Sequence, residues 1–267
     1  MDTLMRTLKV LSLGLLLLGK FAPEAAAQNW IAAQNWEDRG YFNISYGGQS
    51  QDQTFTDTST FTIYGERGAT AAGHTIGGGG LFDVSAGYKL WQNFGVGIGY
   101  SSNKNKNDAT VSVRVPHPIV FGQHREASAT ATDLNHSENA VHLQLVWMMP
   151  VTSDIQLAFT VGPTFFTVRQ DVATVLAPQD IRDVAPFTSV SISTVTVTEV
   201  KDSPVGFNVG VDGTYAIAEY EGFKIGAGAF VRYTGATLDL PVAPDTTRDE
   251  QPKAGGVQAG IGLRLRF

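Results

Sequence analysis

The sequence predicts an all-β chain, an eight-stranded, antiparallel, up-and-down transmembrane β-barrel with long extracellular loops. Three observations carry this reading. Eight segments alternate apolar residues with small or polar ones at a period of two. The connections between them alternate between short turns and long loops. The 267 residues include 29 Gly and 10% aromatics but only 16% charged residues, and the plentiful Ser, Thr and Val favour strands.

The chain opens on a segment of a different kind. Arg6 and Lys9 precede an apolar run over residues 10–18, and Ala25, Ala26 and Ala27 follow it. A basic region, an apolar core and a small-residue site predict a secretory signal peptide, 1–27, cleaved after Ala27. The run is too short to span a bilayer as a helix, and no later stretch approaches the ~18 apolar residues that a membrane helix needs. Cleavage would remove Arg6, Lys9, Lys20, Asp2 and Glu24, taking the net charge from −6 to −7. Residues 28–38, with Gln-Asn-Trp at 28–30 and again at 34–36, read as a periplasmic lead-in that places Trp30 or Trp36 at the membrane interface. The barrel is expected over 39–267, with no peptidoglycan-binding domain after it.

The strand segments follow in order. In RGYFNISYG, Phe42, Ile44 and Tyr46 oppose Asn43 and Ser45. In LFDVSAGYKL, Phe82, Val84, Ala86 and Tyr88 oppose Asp83, Ser85, Gly87 and Lys89. FGVGIGY alternates Phe94, Val96, Ile98 and Tyr100 with Gly. AVHLQLVWMM sets Val141, Leu143 and Leu145 against His142 and Gln144. IQLAFTVGPTF sets Ile155, Leu157, Phe159 and Val161 against Gln156, Ala158, Thr160 and Gly162. VGFNVGVDGTYAI sets Val205, Phe207, Val209, Val211 and Tyr215 against Asn208, Gly210, Asp212 and Thr214. In FKIGAGAFVRY, Phe223, Ile225, Ala227, Ala229, Val231 and Tyr233 oppose Lys224, Gly226, Gly228, Phe230 and Arg232. The terminal GGVQAGIGLRLRF places Val257, Ala259, Ile261, Leu263 and Leu265 opposite Gln258, Gly260, Gly262, Arg264 and Arg266.

Most of these segments have about the length of a tilted strand crossing a bilayer, ~9–11 residues. Their second face decides between a soluble sandwich and a membrane barrel. It carries Gly, Ser, Asn and charges of both signs, which suits the narrow interior of an eight-stranded barrel with its apolar face in lipid. LWQN, PVTSD and EYEG form short turns, whereas residues 48–80, 102–138, 170–204 and 240–254 form long loops. Tyr41, Trp91, Tyr100, Trp147, Tyr215, Tyr220, Tyr233 and Phe267 lie near segment ends and are assigned to interfacial aromatic girdles. Within the loops, TFTDTSTFTIYGE, ATVSVRVPHPIV and SVSISTVTVTEV alternate Ser or Thr with apolar residues, so hairpins are expected to project beyond the bilayer and offer edges to a partner's strand.

The chain resembles the small eight-stranded outer-membrane proteins of the OmpA/OmpX type, including opacity-type surface antigens. LFDVSAGYKLWQNFGVGIGYSS and the terminal GIGLRLRF carry the resemblance, which covers the sequence from about Arg39 onward. It implies a bacterial outer-membrane location. It also implies that Gly260, Leu265 and Phe267 form the signal that the outer-membrane assembly machinery reads in the closing strand. Its motifs identify architecture more than activity.

Candidate sites are few. Asp83, Lys89, Asp212, Lys224, Arg232, Arg264 and Arg266 form an expected lumenal charge network that seals the barrel, with a narrow pore as the alternative. His136, Ser137 and Glu138 resemble the surface residues of lipid A deacylases. In that family, however, His and Ser are separated by one residue, whereas here they are adjacent and face opposite sides of a strand. The five His residues, 74, 117, 124, 136 and 142, show no metal spacing, with His117 and His124 flanking one hairpin tip. Gly77–Gly80 is followed by no Lys or helix and is not a phosphate loop. The absence of Cys excludes disulfides and Cys-ligated metal, and the acidic balance gives no footprint for nucleic acid. The expectation is a non-enzymatic surface protein without a cofactor. It sits in outer-membrane lipid and serves envelope integrity, adhesion or contact with an extracellular ligand or host surface. A channel for small solutes and a lipid A-modifying enzyme are the alternatives.

Overall fold

The computed structural model describes residues 36–175, 178–180, 187, 189–192, 194–242 and 245–267. The expected signal peptide and residues 28–35 of the lead-in, with Trp30, lie outside them. Fourteen strands form among the described residues. Eight of them build a ring, namely β1 (Gly40–Ser50), β4 (Gly79–Trp91), β5 (Phe94–Pro116), β6 (His124–Pro150), β7 (Ile155–Val175), β11 (Val205–Tyr220), β12 (Phe223–Thr237) and β14 (Lys253–Arg266). Each pairs antiparallel with the next, and β14 closes on β1 from Tyr41↔Arg266 to Ser50↔Val257. This is a closed eight-stranded up-and-down barrel, and all eight predicted segments lie on its strands.

Closure follows from the environment that the side chains demand. Ile44, Val96, Leu145, Val161, Phe207, Val231, Ile261 and Leu263 point outward and are exposed. Asn43, Ser45, Asp83, Gln144, Asn208, Arg232, Gln258 and Arg264 point inward and are buried. An apolar outside around a polar inside is the inverse of a soluble barrel, and it places the ring in hydrocarbon. No water is available there for unpaired backbone groups, so only a ring without edges is stable.

The short connections, with Trp36 and Phe267, lie at one end of the barrel, called here the turn end. Gln92 and Gly222 take the left-handed backbone that two of these tight turns require, at φ 47° and 92°. At the opposite, loop end the strands do not stop with the lipid belt. β5 and β6 run for 23 and 27 residues, roughly twice what crossing a membrane needs. β7 continues with them, and β10 (Val195–Asp202) prolongs β11 in the same register, since both Val205↔Phe165 and Lys201↔Arg169 pair with β7. The first long loop forms a hairpin, β2 (Gln53–Ile63) and β3 (Glu66–Ile76), turning through Tyr64 and Gly65 at φ 56° and 77°. β3 adds to the upper part of β5 from Ala69↔Arg114 to His74↔Ala109, and β13 (Thr246–Arg248) adds to β2. A curved sheet thus stands above the barrel in the order β10-β7-β6-β5-β3-β2-β13. Its concave side buries Ala72, Ala109, Val111, Leu134 and Ala173, with Ala131, Ile192 and Val195 against them.

Two aromatic side chains sit elsewhere than the sequence predicts. Tyr41, assigned to a girdle, is 4% exposed and lies inside the barrel. Its ring occupies the space left by two glycines of other strands: a Cβ on Gly87 would lie 2.3 Å from the ring and one on Gly97 2.6 Å from its hydroxyl. Trp36, assigned to the membrane interface, is fully buried in the turn-end mouth.

Candidate functional site

The lumen is filled in three layers. At the turn end, Trp36 and Tyr41 pack on Val146, Met148 and Ala158. The chain entering the barrel is held there because Trp36 N–H donates to Asn93 Oδ1 at 2.8 Å and Lys89 Nζ donates to the Trp36 carbonyl. Apolar residues on an inward face are affordable here because Trp36 covers them.

Above this plug lie the charges. Asp212 accepts from Arg264 Nε at 3.1 Å and Nη2 at 2.6 Å, with Arg266 Nη2 at 3.7 Å. Arg264 also donates to Ser45 Oγ at 2.8 Å, and Arg266 donates to Asn43 Oδ1 at 2.6 Å and to Thr214 Oγ1. Asp83 pairs with Arg232, whose Nε donates to Gln258 Oε1 at 2.8 Å. From there a column of hydrogen bonds climbs toward the loop end. Gln258 donates to Gln49 Oε1 at 2.8 Å, and Gln49 donates to Glu138 Oε2 at 2.7 Å. The other Glu138 oxygen meets His136 Nε2 at 2.9 Å, and His136 Nδ1 meets Gln170 Oε1. Three guanidiniums, Arg232, Arg264 and Arg266, thus face two carboxylates, Asp83 and Asp212, while Glu138 is held by Gln49, His136 and the Gly255 N–H. Buried ions demand such partners and satisfied hydrogen bonds. The open space between Tyr41, Asp83, Asp212, Arg232 and Arg266 is only about 30 Å³, room for about one water.

The third layer is apolar. Leu238 and Leu240, at the start of the fourth long loop, fold over Ala140, Phe166, Val168 and Ala254 and close the loop end.

Five of the seven predicted network residues, Asp83, Asp212, Arg232, Arg264 and Arg266, therefore meet in the middle layer. Lys89 stands at the turn-end mouth on the Trp36 carbonyl, and Lys224 stands at the same rim, 3.6 Å from Glu219. The predicted network left out Gln49, Gln170 and Gln258, which show no signal beyond an inward parity, and Glu138, which the sequence grouped with His136 and Ser137 instead. His136 is buried in the column while Ser137 faces outward, on opposite sides of β6. A second His-hydroxyl pair, His142 Nε2 and Ser101 Oγ at 2.9 Å, is completely enclosed, with Thr164 on the other ring nitrogen. His117 caps its own turn by accepting from Ile119 and Val120 N–H, and His124 faces Arg114. No cluster with metal-ligand geometry occurs among the described residues.

Outside the membrane the fourth loop is tied to the first. Arg248 donates to both oxygens of Asp57 at 2.6 Å and to the Leu240 carbonyl at 3.0 Å, and its guanidinium lies 4.9 Å from the centre of the Phe55 ring. Phe55 stacks on His74 at 4.7 Å. Burial holds the His74 pKa below its usual value, and Asp57 opposes this only in part. A depressed His pKa means that the folded form prefers neutral imidazole. Its stability is complete above the unfolded value of about 6.5 and falls as the pH drops below it. Lowering the pH from about 7.5 to about 5 is therefore expected to reduce the amide protection factors across β2 and β3, each observed exchange rate being taken relative to the intrinsic rate at the same pH. His74→Gln is expected to flatten that pH dependence, and equal dependence in the variant would assign it to another group.

No family model and no curated protein matches the sequence. Solved structures do resemble it. The outer membrane protein OprG from Pseudomonas aeruginosa is 13% identical with a TM-score of 0.42, the match covering 86% of this chain and 97% of OprG. Neisserial surface protein A is 11% identical with a TM-score of 0.38, covering 85% and 97%. Ail, the attachment invasion locus protein of Yersinia pestis, is 10% identical with a TM-score of 0.33, covering 85% and 99%. The eight-stranded barrel itself is established by its own strand registers.

Proposed function

We propose that this chain is a non-conducting, non-enzymatic barrel of the bacterial outer membrane that works outside the bilayer, through its loop-end sheet. The observation that carries the reading is the triple seal. The Trp36 plug, the ion-paired middle layer and the Leu238–Leu240 cap fill the lumen at three levels, which supports a closed interior. A wall this closed serves as a platform, and the three longest strands, β5, β6 and β7, rise from it as an ordered sheet.

That sheet has an edge to offer. On the side away from β7, β10 pairs with no strand among the described residues, and its Val-Thr alternation is suited to strand addition by an extended segment of a partner protein. Adhesion or another surface contact is the role that fits. In this reading the short turns face the periplasm and the sheet faces the exterior, the disposition usual for outer-membrane barrels. Gly260, Leu265 and Phe267 serve assembly in the same reading. Phe267 extends the closing strand, with its backbone bonded to Gly40 and its ring directed outward.

Single-channel recording of the refolded protein in a planar bilayer tests the proposal. Folded protein, identified by its heat-dependent gel shift, is expected to be silent. Steady, charge-selective openings would overturn the sealed-platform reading and make the protein a narrow porin.

A further inference from the structure

The outward face of the sheet, just beyond the lipid belt, carries cations in one line. Lys104 pairs in register with Ser137, Ser137 with Arg169, and Arg169 with Lys201. Adjacent strands are about 4.8 Å apart, so this row crosses four strands in about 14 Å. Lys104, Arg169 and Lys201 are exposed. Lys201 is held by Glu199 at 3.2 Å, and in the next row Lys106 is held by Asp133 at 3.1 Å. Asp171 accepts two bonds from Asn135 at 2.9 Å. Lys104 and Arg169, on either side of the Ser137 hydroxyl, have no acidic partner among the described residues. In a chain of net charge −6, Lys104 and Arg169, neither held in an ion pair among the described residues, converge on a hydroxyl and form a local anion cradle, in a depression whose next row also carries Asp171 and Glu199.

The position of the row identifies the anion. Two residues toward the turn end lies the neutral row Ser102, Asn139 and Thr167, with Asn139 accepting from the Tyr100 hydroxyl at 2.9 Å. Two residues further come Tyr100, Val141 and Phe165, the last lipid-facing side chains of their strands. Lys104 is thus about 13 Å along a tilted strand from the hydrocarbon edge. A bilayer's headgroup layer extends roughly 5–8 Å beyond its core, and long Lys and Arg stems bend back to reach it. We propose that Lys104, Ser137 and Arg169 form a binding site for a phosphate group, filled by a phosphorylated headgroup of the surrounding outer leaflet. The site rests on the membrane placement and orientation proposed above.

The test uses the folded mature protein in zwitterionic micelles, titrated with bisphosphorylated lipid A, with the same lipid after phosphatase treatment, and with inorganic phosphate. Bound ligand is read by native mass spectrometry. Lipid A is expected to bind, the dephosphorylated lipid to bind at least about tenfold more weakly, and Lys104→Gln/Arg169→Gln to lose about tenfold or more in lipid A affinity. Lys253→Gln, at a distant cation, is expected to change nothing. Tight binding of inorganic phosphate that the double variant abolishes would support the phosphate cradle and assign it a free anion in place of the headgroup. Equal lipid A affinity in wild type and double variant, or equal binding of the dephosphorylated lipid, would overturn the site. Those outcomes leave the conductance result untouched, so failure here is distinguishable from failure of the sealed-platform reading.

Discussion

Asp212→Asn is expected to destabilise the folded barrel by about 3–5 kcal/mol, the cost of leaving a buried ion without its partner. Asp212 is the hub of the lower charge layer: it takes a two-pronged bond from Arg264 and stands within 4 Å of Arg266. Both guanidiniums are almost completely buried. Asn preserves the size of the side chain and can still accept one bond, so the loss measures charge and not volume. The cavity of about 30 Å³ admits too little water to solvate two stranded cations. Denaturant unfolding of the refolded protein, followed by gel mobility, gives the number. A second variant carrying Arg266→Met as well should regain part of the loss, because one of the unpaired charges is then gone. A loss of under about 1 kcal/mol in the single variant would show that the lumen relaxes or hydrates, contrary to a sealed interior.

Leu263→Arg is the second large effect. Leu263 is 65% exposed on the outside of β14, opposite Ile44 on β1 and Ala227 on β12. Its neighbour Arg264 is 1% exposed inside. The same residue type is thus tolerated at 264 and excluded at 263, one step along the strand. Arg at 263 is expected to cost about 2–4 kcal/mol if it lies near the bilayer midplane. Leu265→Arg, nearer the turn-end interface, is expected to cost less, because its guanidinium reaches headgroups. Reversible unfolding in phospholipid vesicles measures both. Wild-type stability for Leu263→Arg would reverse the assignment of faces.

The alternation that separates Leu263 from Arg264 is legible by inspection, because a strand turns each side chain by half a revolution and lipid accepts only one kind of face. Tyr41 shows where that reading stopped short. It shares the inward parity of Asn43 and Ser45, yet its place near a segment end suggested a girdle. What admits it to the lumen is the absence of side chains at Gly87 and Gly97, and that is known only once β1, β4 and β5 are in register. Trp36 is similar: a Trp preceding a barrel strand suits the interface as well as a plug, and the decision lies with Asn93 and Lys89 across the mouth.

The loops divide in the same way. The alternation in residues 53–63 and 189–200 marks them as able to form strands. That β3 joins β5, that β13 joins β2, and that Arg248 finds Asp57 depend on how a hairpin folds back on a wall built from other parts of the chain.

The sequence by itself determined the number of barrel strands, which face of each meets lipid, and which connections are short. These are local properties, written in a period of two and in the turn residues. Only the tertiary structure decided that Asp212 holds two arginines, that Leu238 and Leu240 close the lumen, and that Lys104, Ser137 and Arg169 stand in one row. Each of these depends on the stagger between strands far apart in the chain, and a stagger is set by the closure of the whole ring.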